Sequence, residues 1–497
     1  MQCRTGTDRI QVTLGVDIGT SSSKGVLVDT EGNIRARAER THTVDQPRPG
    51  WFEMDPRAWW DEFTSICREL LSLGNYRVSA VGASGMGPCV GLTDEADVPV
   101  RPAILYGVDT RAQDQIIELE ERLGAQEILA RCGSALTTQA VGPKIAWIQQ
   151  HEPEAAARAR HLYMPSSWIV RRLTGNYVLD HHSASQATPL YALDQERWYE
   201  PWVDALCPGL EMPALLWAGE RAGSVTAEAA ELTGLEPGTP VVAGTIDAWA
   251  EAASVGATEP GDLMLMYGTT LFMVNTNDSA LRHPALWGTA GLRPGSRCLA
   301  GGLSTSGAIT TWLSRLTGAD IPTLVEEASQ APAGAGGLLT LPYFSGERTP
   351  LLDPDARGVI SGLHLGHSRG DLYRSVLEGV GYAVRHNVET FREAGGRIDR
   401  VFAVGGGASS ALWPRIVSAI CRLPQRIPRH TVGASLGMAF IAASLESPPA
   451  INLWNPSVDI IEPSVEPVYQ RGYHLFRELY PATAPLVHAA AVPLPQA

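Results

Sequence analysis

The feature that most constrains this chain is a turn that it carries twice. Gly19-Thr20-Ser21 and Gly268-Thr269-Thr270 each stand between two apolar runs, 249 residues apart in a chain of 497. Half the chain length is the spacing that a duplicated domain would give, with the same hairpin in each half. Gly-Thr pairs are common, so the turn alone leaves chance open as well. Ile10 to Asp17 and Gly25 to Asp29 read as strands around the first turn, and Leu263 to Tyr267 and Leu271 to Val274 read so around the second. A turn at Thr30-Glu31-Gly32-Asn33 and a third run from Ile34 predict an antiparallel meander at the start of the chain.

Beyond the turns, strand and helix patterns alternate. Asp55-Pro56 is a helix start, with Trp59, Phe63, Ile66 and Leu70 at helical spacing and Gly74 as its expected C-cap. Val78 to Ala83 reads as a buried strand and Thr110 to Leu123 as a helix ending at Gly124. Pro240 to Gly244 reads as a strand and Asp247 to Ser254 as a helix. Asp371 to Ala394 is a long helix, and Val401 to Val404 is a strand that runs into Gly405-Gly406-Gly407. This alternation indicates α/β layers. Asp and Glu total 53 against 39 Lys and Arg, a net charge of -14, which argues against a general nucleic-acid binder. No uncharged apolar run is long enough to span a bilayer, and the first residues lack the apolar stretch of a secretion signal. The seven cysteines, at 3, 67, 89, 132, 207, 298 and 421, form no CxxC pair, which predicts a reducing, cytoplasmic location without disulfides or a zinc site.

The turns carry chemistry. A polyphosphate needs several N–H donors aimed at one place; Gly lets the backbone approach, and Thr or Ser adds hydroxyls. Gly19-Thr20-Ser21-Ser22-Ser23-Lys24 is such a nest, without the Gly-Lys-Ser/Thr of a Walker A loop. Asp17 beside it reads either as a turn-capping carboxylate or as a ligand for a hydrated Mg²⁺ set between it and a phosphate. Gly405-Gly406-Gly407-Ala408-Ser409-Ser410 offers a flat backbone surface and a helix start, as a nucleotide site or as a plain turn.

In this order the pieces resemble the FGGY family of carbohydrate kinases, most nearly its xylulokinase-like branch, from about Leu14 to about Ala442. The most specific segment is Gly358-Val359-Ile360-Ser361-Gly362-Leu363, then seven residues, then Asp371-Leu372-Tyr373-Arg374-Ser375-Val376-Leu377-Glu378. Gly346-Glu347-Arg348-Thr349-Pro350, Gly15-Val16-Asp17-Ile18-Gly19-Thr20-Ser21, Val242-Ala243-Gly244-Thr245-Ile246-Asp247 and Gly405-Gly406-Gly407-Ala408-Ser409 also resemble the family. The resemblance implies two ribonuclease H-like domains of the actin-like ATPase superfamily with an interdomain cleft. The expected division is residues 1–255 for the sugar and 256–497 for ATP.

The resemblance further implies transfer of the γ-phosphate of ATP to a hydroxyl of a ketose, a pentulose such as xylulose, or a related polyol. Asp247 matches the family's general base; as a residue, it also reads as an N-cap. Gly268, Thr269 and Thr270 would hold the β- and γ-phosphates. Gly19, Thr20 and Ser21 would meet the γ-phosphate, with Asp17 holding Mg²⁺. Gly406 and Gly407 match the adenosine-site glycines, with Ser410 nearby. The expected sugar site is Met86, Gly87, Tyr106, Asp109 and Asp247, with Trp51 at its edge. Xylulokinases carry Ser-Gly-Gln-Met-His-Gly where this chain has Ser84-Gly85-Met86-Gly87-Pro88-Cys89. The lost imidazole and the room at Gly87 predict a shift from D-xylulose toward another, longer or branched ketose or polyol. Asp109 and Arg111 read equally as a surface ion pair or as ligands. The Arg-Glu of glycerol kinases is absent, which disfavours glycerol. His181, His182, His364 and His367 are set aside as metal ligands. The competing class is a non-transferring ATP-binding regulator of the same superfamily, which needs no base at Asp247. A homodimer is open to either.

Overall fold

The computed structural model describes residues 9–446 and 448–490; Cys3 and most of the segment read for a secretion signal lie outside them. The opening meander forms as expected. Strand Ile10–Ile18 pairs antiparallel with Ser22–Asp29, which pairs antiparallel with Ile34–Thr41. On its other edge Ile10–Ile18 takes Tyr76–Gly85 in parallel, and Pro240–Val242 and Thr245–Ile246 continue along that strand, also in parallel.

Alternation along the first strand decides its two faces. Val12, Leu14, Val16 and Ile18 join Trp59, Phe63, Ile66 and Leu70 of helix Pro56–Ser72 in one core. All four helix residues are fully buried, and each contributes on the order of 2 kcal/mol. On the opposite face, Val26 and Val28 pack with Leu436 and Ala439 of helix Ala434–Ala443. Gly15 permits that approach: a Cβ there would lie 1.9 Å from the Ser435 carbonyl oxygen.

Three boundaries differ from the sequence reading, each for a local reason. Helix Pro56–Ser72 is capped by Asp55 as expected but closes at Leu73, whose N–H bonds back to Leu70. Gly74 serves close packing instead, since a Cβ there would meet the Tyr76 ring at 2.7 Å. The helix expected from Thr110 begins at Gln113, because the Thr110 and Arg111 N–H groups are taken by the Gly50 carbonyl and the Asp109 carboxylate. The long helix starts at Arg369, with Ser368 and Asp371 capping each other's backbone N–H.

The second hairpin repeats the first in its pairing. Asp262–Tyr267 runs antiparallel to Leu271–Asn277 and parallel to Arg400–Val404, which is parallel in turn to Gln425–Pro428. The chain divides into two compact units, neither of them continuous. Residues 278–298 and 432–456, which lie beyond the expected division at 255/256, pack with the first unit. Small side chains explain the second of these segments. Ala434, Met438, Ile441 and Ala442 share a core with Ala250 and Ala253 of helix Asp247–Ser254, and a Cβ on Gly437 would lie 1.7 Å from the Ala250 carbonyl oxygen.

Candidate active site

In the first unit the sheet brings three polar side chains to the carboxyl ends of adjacent parallel strands. Asp17 is in register with Ser84, and Ser84 with Thr245; Asp247 follows as the first residue of its helix. This edge of an open α/β sheet is where ligands bind. The Ser84 hydroxyl donates to Asp17 Oδ1 at 2.8 Å. Asp247 is not the N-cap, a place that Ile246 holds; its Oδ1 accepts the Ala248 N–H at 2.7 Å.

The electrostatics are those of a site short of cations. Burial pushes the Asp17 carboxyl above the usual range, against the pull of Ser84 and Lys24. Burial, then the Asp17 charge, pushes Asp247 well above it. Glu251, one helical turn beyond Asp247, is pushed up to about 7 by burial and by Asp17. Like charges in a desolvated place hold protons or recruit a cation. Among the described residues no group of three His, Cys, Asp or Glu side chains has the geometry of a metal site. A hydrated Mg²⁺, which keeps several waters and takes one or two carboxylates, suits the donors present.

The Gly-Thr-Ser turn stands beside these carboxylates. The Gly19 N–H donates to the Ser22 carbonyl at 3.2 Å, and a Cβ on Gly19 would lie 2.7 Å from that oxygen. Thr20 Oγ1 and the Tyr106 hydroxyl share a hydrogen bond of 3.0 Å, while Ser21 is exposed. Two residues that the sequence reading missed brace the turn. His42 Nε2 lies 3.1 Å from the Gly19 carbonyl oxygen, and its Nδ1 lies 3.1 Å from Glu62. Glu62 also accepts from the Ser23 hydroxyl at 2.5 Å. The available signal was Glu62 itself, a carboxylate next to the apolar stripe of its helix.

The expected sugar residues separate on inspection. Met86 has no exposed surface and belongs to the core with Val16 and Trp59, so its side chain offers nothing to a ligand. Gly87 opens no room: a Cβ there would meet Ile246 at 2.7 Å, which removes the expectation of space for a longer or branched substrate. Asp109 is 1% exposed, so its pairing is not the surface contact of the bland reading. It forms a two-pronged ion pair with Arg111 and accepts the Phe52 N–H at 2.7 Å, which fills both oxygens. Trp51 packs edge-on against Trp147 at 5.1 Å, with the Arg111 guanidinium 4.4 Å from its ring centre. Of the expected sugar residues, Asp247 thus stands at the sheet edge and Tyr106 bonds to Thr20 of the turn.

The second unit gathers its candidates into a pocket of about 440 Å³. Gly268 and Thr269 line it from the hairpin, and Gly406, Gly407 and Ser410 from the turn after strand Arg400–Val404. Ile321, Leu377 and Trp413 supply an apolar wall. A Cβ on Gly406 would meet nothing within 4 Å, so its backbone faces open space, whereas one on Gly407 would press on Trp413 and Tyr267 at 3.0 Å. The start of helix Gly307–Thr317 is tied to the hairpin: the Ser306 and Gly307 N–H groups donate to the Thr269 and Gly268 carbonyls. An apolar wall beside a glycine surface suits the flat base of a nucleotide. Thr270 belongs to the same turn but does not line the pocket.

Comparison with known proteins agrees with this geometry. The family model of the FGGY carbohydrate kinases, N-terminal domain, matches residues 12–256, and its C-terminal counterpart matches residues 263–445. The xylulose kinase of Escherichia coli K12 is 31% identical over 500 residues, covering 95% of this chain and 99% of that protein. The xylulose kinase of Streptomyces rubiginosus is 30% identical over 466 residues, 91% of this chain and 92% of that protein. The crystal structure of xylulose kinase from Rhodospirillum rubrum superposes with a TM-score of 0.89 at 32% identity, covering 96% of this chain and all of that one. The two mixed sheets with their helices are the actin-like ATPase fold of these kinases. Among the described residues no helix is long and apolar enough to cross a membrane, and the six described cysteines are buried.

Proposed function

Because this chain belongs to the FGGY family of carbohydrate kinases, we propose that it transfers the γ-phosphate of ATP to a hydroxyl of a five-carbon ketose, with Asp247 as general base. The observation that carries this reading is that Asp247 follows directly on the strand paired at Ser84 and Gly85, at the carboxyl edge of the sheet and within electrostatic reach of Asp17. A carboxylate held above its ordinary pKa is a better proton acceptor once ionised, which suits removal of a hydroxyl proton as the phosphoryl group arrives. Phosphoryl transfer asks little else of a protein than positioning and charge stabilisation. Gly268 and Thr269 hold the β- and γ-phosphates, with Thr270 completing their turn, and Gly406 and Gly407 lie under the adenosine. Gly19, Thr20 and Ser21 hold the phosphate being transferred, and His42 keeps the Gly19 carbonyl turned away from it. Asp17 would hold a hydrated Mg²⁺, which would neutralise phosphate charge.

The substrate class follows from size and kinship. Ile246 fills the place beside Gly87, so nothing there favours a longer sugar. Two relatives that match over most of the chain are xylulose kinases, and a pentulose is the class they favour here. The first compact unit is the sugar side and the second the ATP side, a cytoplasmic enzyme being the setting that ATP suits. The test is coupled detection of ADP across pentuloses, hexuloses and polyols. Turnover is expected to peak at a pentulose and to require Mg²⁺. ADP release that no sugar or polyol stimulates overturns the kinase in favour of an ATP-binding regulator, for which the family match gives no support.

A further inference from the structure

The first unit holds a charge that nothing in the fold explains. Lys144, in the first turn of helix Val141–His151, is 1% exposed, and its Nζ has no hydrogen-bond partner. An ammonium carries three donors and no acceptor. Buried without a partner, it is among the most destabilising groups a core can contain. Such a group persists where something outside the fold completes it.

Its surroundings are the sugar side of the site. Gln139 accepts the Gly107 N–H at 2.7 Å, and the Thr138 hydroxyl donates to the Gly107 carbonyl at 3.0 Å. These bonds fasten the start of the helix to the loop of Tyr106 and Asp109. One turn further, Trp147 rests on Trp51 and on Arg111, whose guanidinium is 5.0 Å from its ring. Residues 144 and 147 share a helix face, so Lys144 leaves the helix on the side of that loop. It lies within electrostatic reach of Cys89, Asp109 and Arg111, and Cys89 is in turn within reach of Asp247. None of these neighbours takes the ammonium. Asp109 is filled by Arg111 and Phe52, and the Cys89 thiol points at the Met86 carbonyl. Burial lowers the pKa of Lys144 to about 8, which leaves it mostly charged at neutral pH.

We propose that the Lys144 ammonium is a substrate-binding group that donates hydrogen bonds to hydroxyl or carbonyl oxygens of the sugar that Asp247 deprotonates. The proposal rests on the sugar-kinase reading and deepens it. A donor-only cation selects oxygen lone pairs, and it supplies a donor near a loop that carries Gly87-Pro88 in place of an imidazole. A site built on such a donor discriminates strongly against analogues that lack the matching oxygen.

The test is Lys144→Met, which keeps length and loses charge, with Lys144→Gln as a second variant. Removing an unpaired buried charge is expected to hold or raise Tm in Lys144→Met. The KM for the sugar is expected to rise by roughly tenfold or more, with the KM for ATP unchanged. An active wild type and a folded Lys144→Met whose sugar KM stays within about twofold overturn the inference and leave the kinase reading intact. A fall in Tm in both variants, with both KM values moving together, marks Lys144 as structural and also overturns it. A wild type with no sugar-dependent ADP release fails the kinase reading itself and takes this inference with it.

Discussion

The two Gly-Thr hairpins share a backbone plan and differ in what surrounds it. In each, a glycine opens the turn and bonds back across it: Gly19 N–H to Ser22 and Gly268 N–H to Thr270. In each, the strand before the glycine has an antiparallel partner on one side and a parallel strand on the other. The first turn is one residue longer, since Ile18 pairs with Ser23 while Tyr267 pairs with Leu271. Two residues before the glycine stands Asp17 in the first and Met266 in the second. Around the first lie Asp247 and Glu251, with Lys24 as the opposing charge. Around the second lie Trp413, Leu377 and two bare glycines. Backbone N–H groups can cradle a phosphate whatever the side chains are. On the proposed reading the side chains then divide the labour, proton and cation chemistry at one hairpin and the grip on a flat, apolar base at the other.

The largest expected effect breaks the acidic side. Asp247→Asn should lower kcat by about 10²–10⁴-fold, the usual worth of a general base, with ATP binding unchanged by isothermal titration. Unchanged turnover would remove Asp247 from the chemistry and leave the two hairpins undifferentiated.

A smaller effect probes the other side. Gly406→Ala meets no protein atom, so Tm should hold. The new methyl stands in the proposed nucleotide pocket and should raise the KM for ATP roughly tenfold, the effect of about 1–2 kcal/mol of overpacking. An unaltered KM for ATP would show that the nucleotide does not lie on that glycine.

The pH dependence sharpens the contrast. Asp247 must be ionised to accept a proton, and its pKa is raised by burial and by Asp17. The kcat/KM for the sugar should therefore fall as pH drops through a value well above the ordinary carboxylate range, about 4. Asp17→Asn removes a repelling charge, so the residual activity should keep its level to lower pH. A limb that does not move would separate the two carboxylates electrostatically.

The smallest effect lies in the second unit. Burial pushes Glu347 up to about 8, and its Oε2 has no partner. A carboxyl with a raised folded pKa binds its proton more tightly when folded, so its stability contribution is complete below the unfolded value, about 4.3, and is lost as pH rises toward 8. Glu347→Gln should raise Tm more at pH 8 than at pH 5, the two values at which melts are compared. An equal shift at both would place the Glu347 proton elsewhere.

Much of this was legible in the chain. The meander, the Asp55 cap and the amphipathic helix after it are local, set by apolar spacing and by one side chain reaching its own backbone. The boundaries that moved, at Thr110 and Asp371, did so because neighbouring side chains took or supplied single hydrogen bonds. Residues 432–456 joined the first unit because helix Ala434–Ala443 fits only where Gly15 and Gly437 let it approach.

At the site, the sequence by itself determined which residues could do chemistry. The Gly-Thr turns and Asp17 stand out because their residue types and order answer the needs of a phosphate and a cation, and Asp247 stands out through the family resemblance. Burial and orientation were decided only in three dimensions. Met86 turned into the core, Asp109 was consumed by Arg111, and Ile246 closed the space beside Gly87. His42 and Lys144 acquired their meaning from chain segments far from them in sequence. The physical reason is that a residue type states what a group can donate or accept, whereas its use depends on which partners the packing leaves unmet.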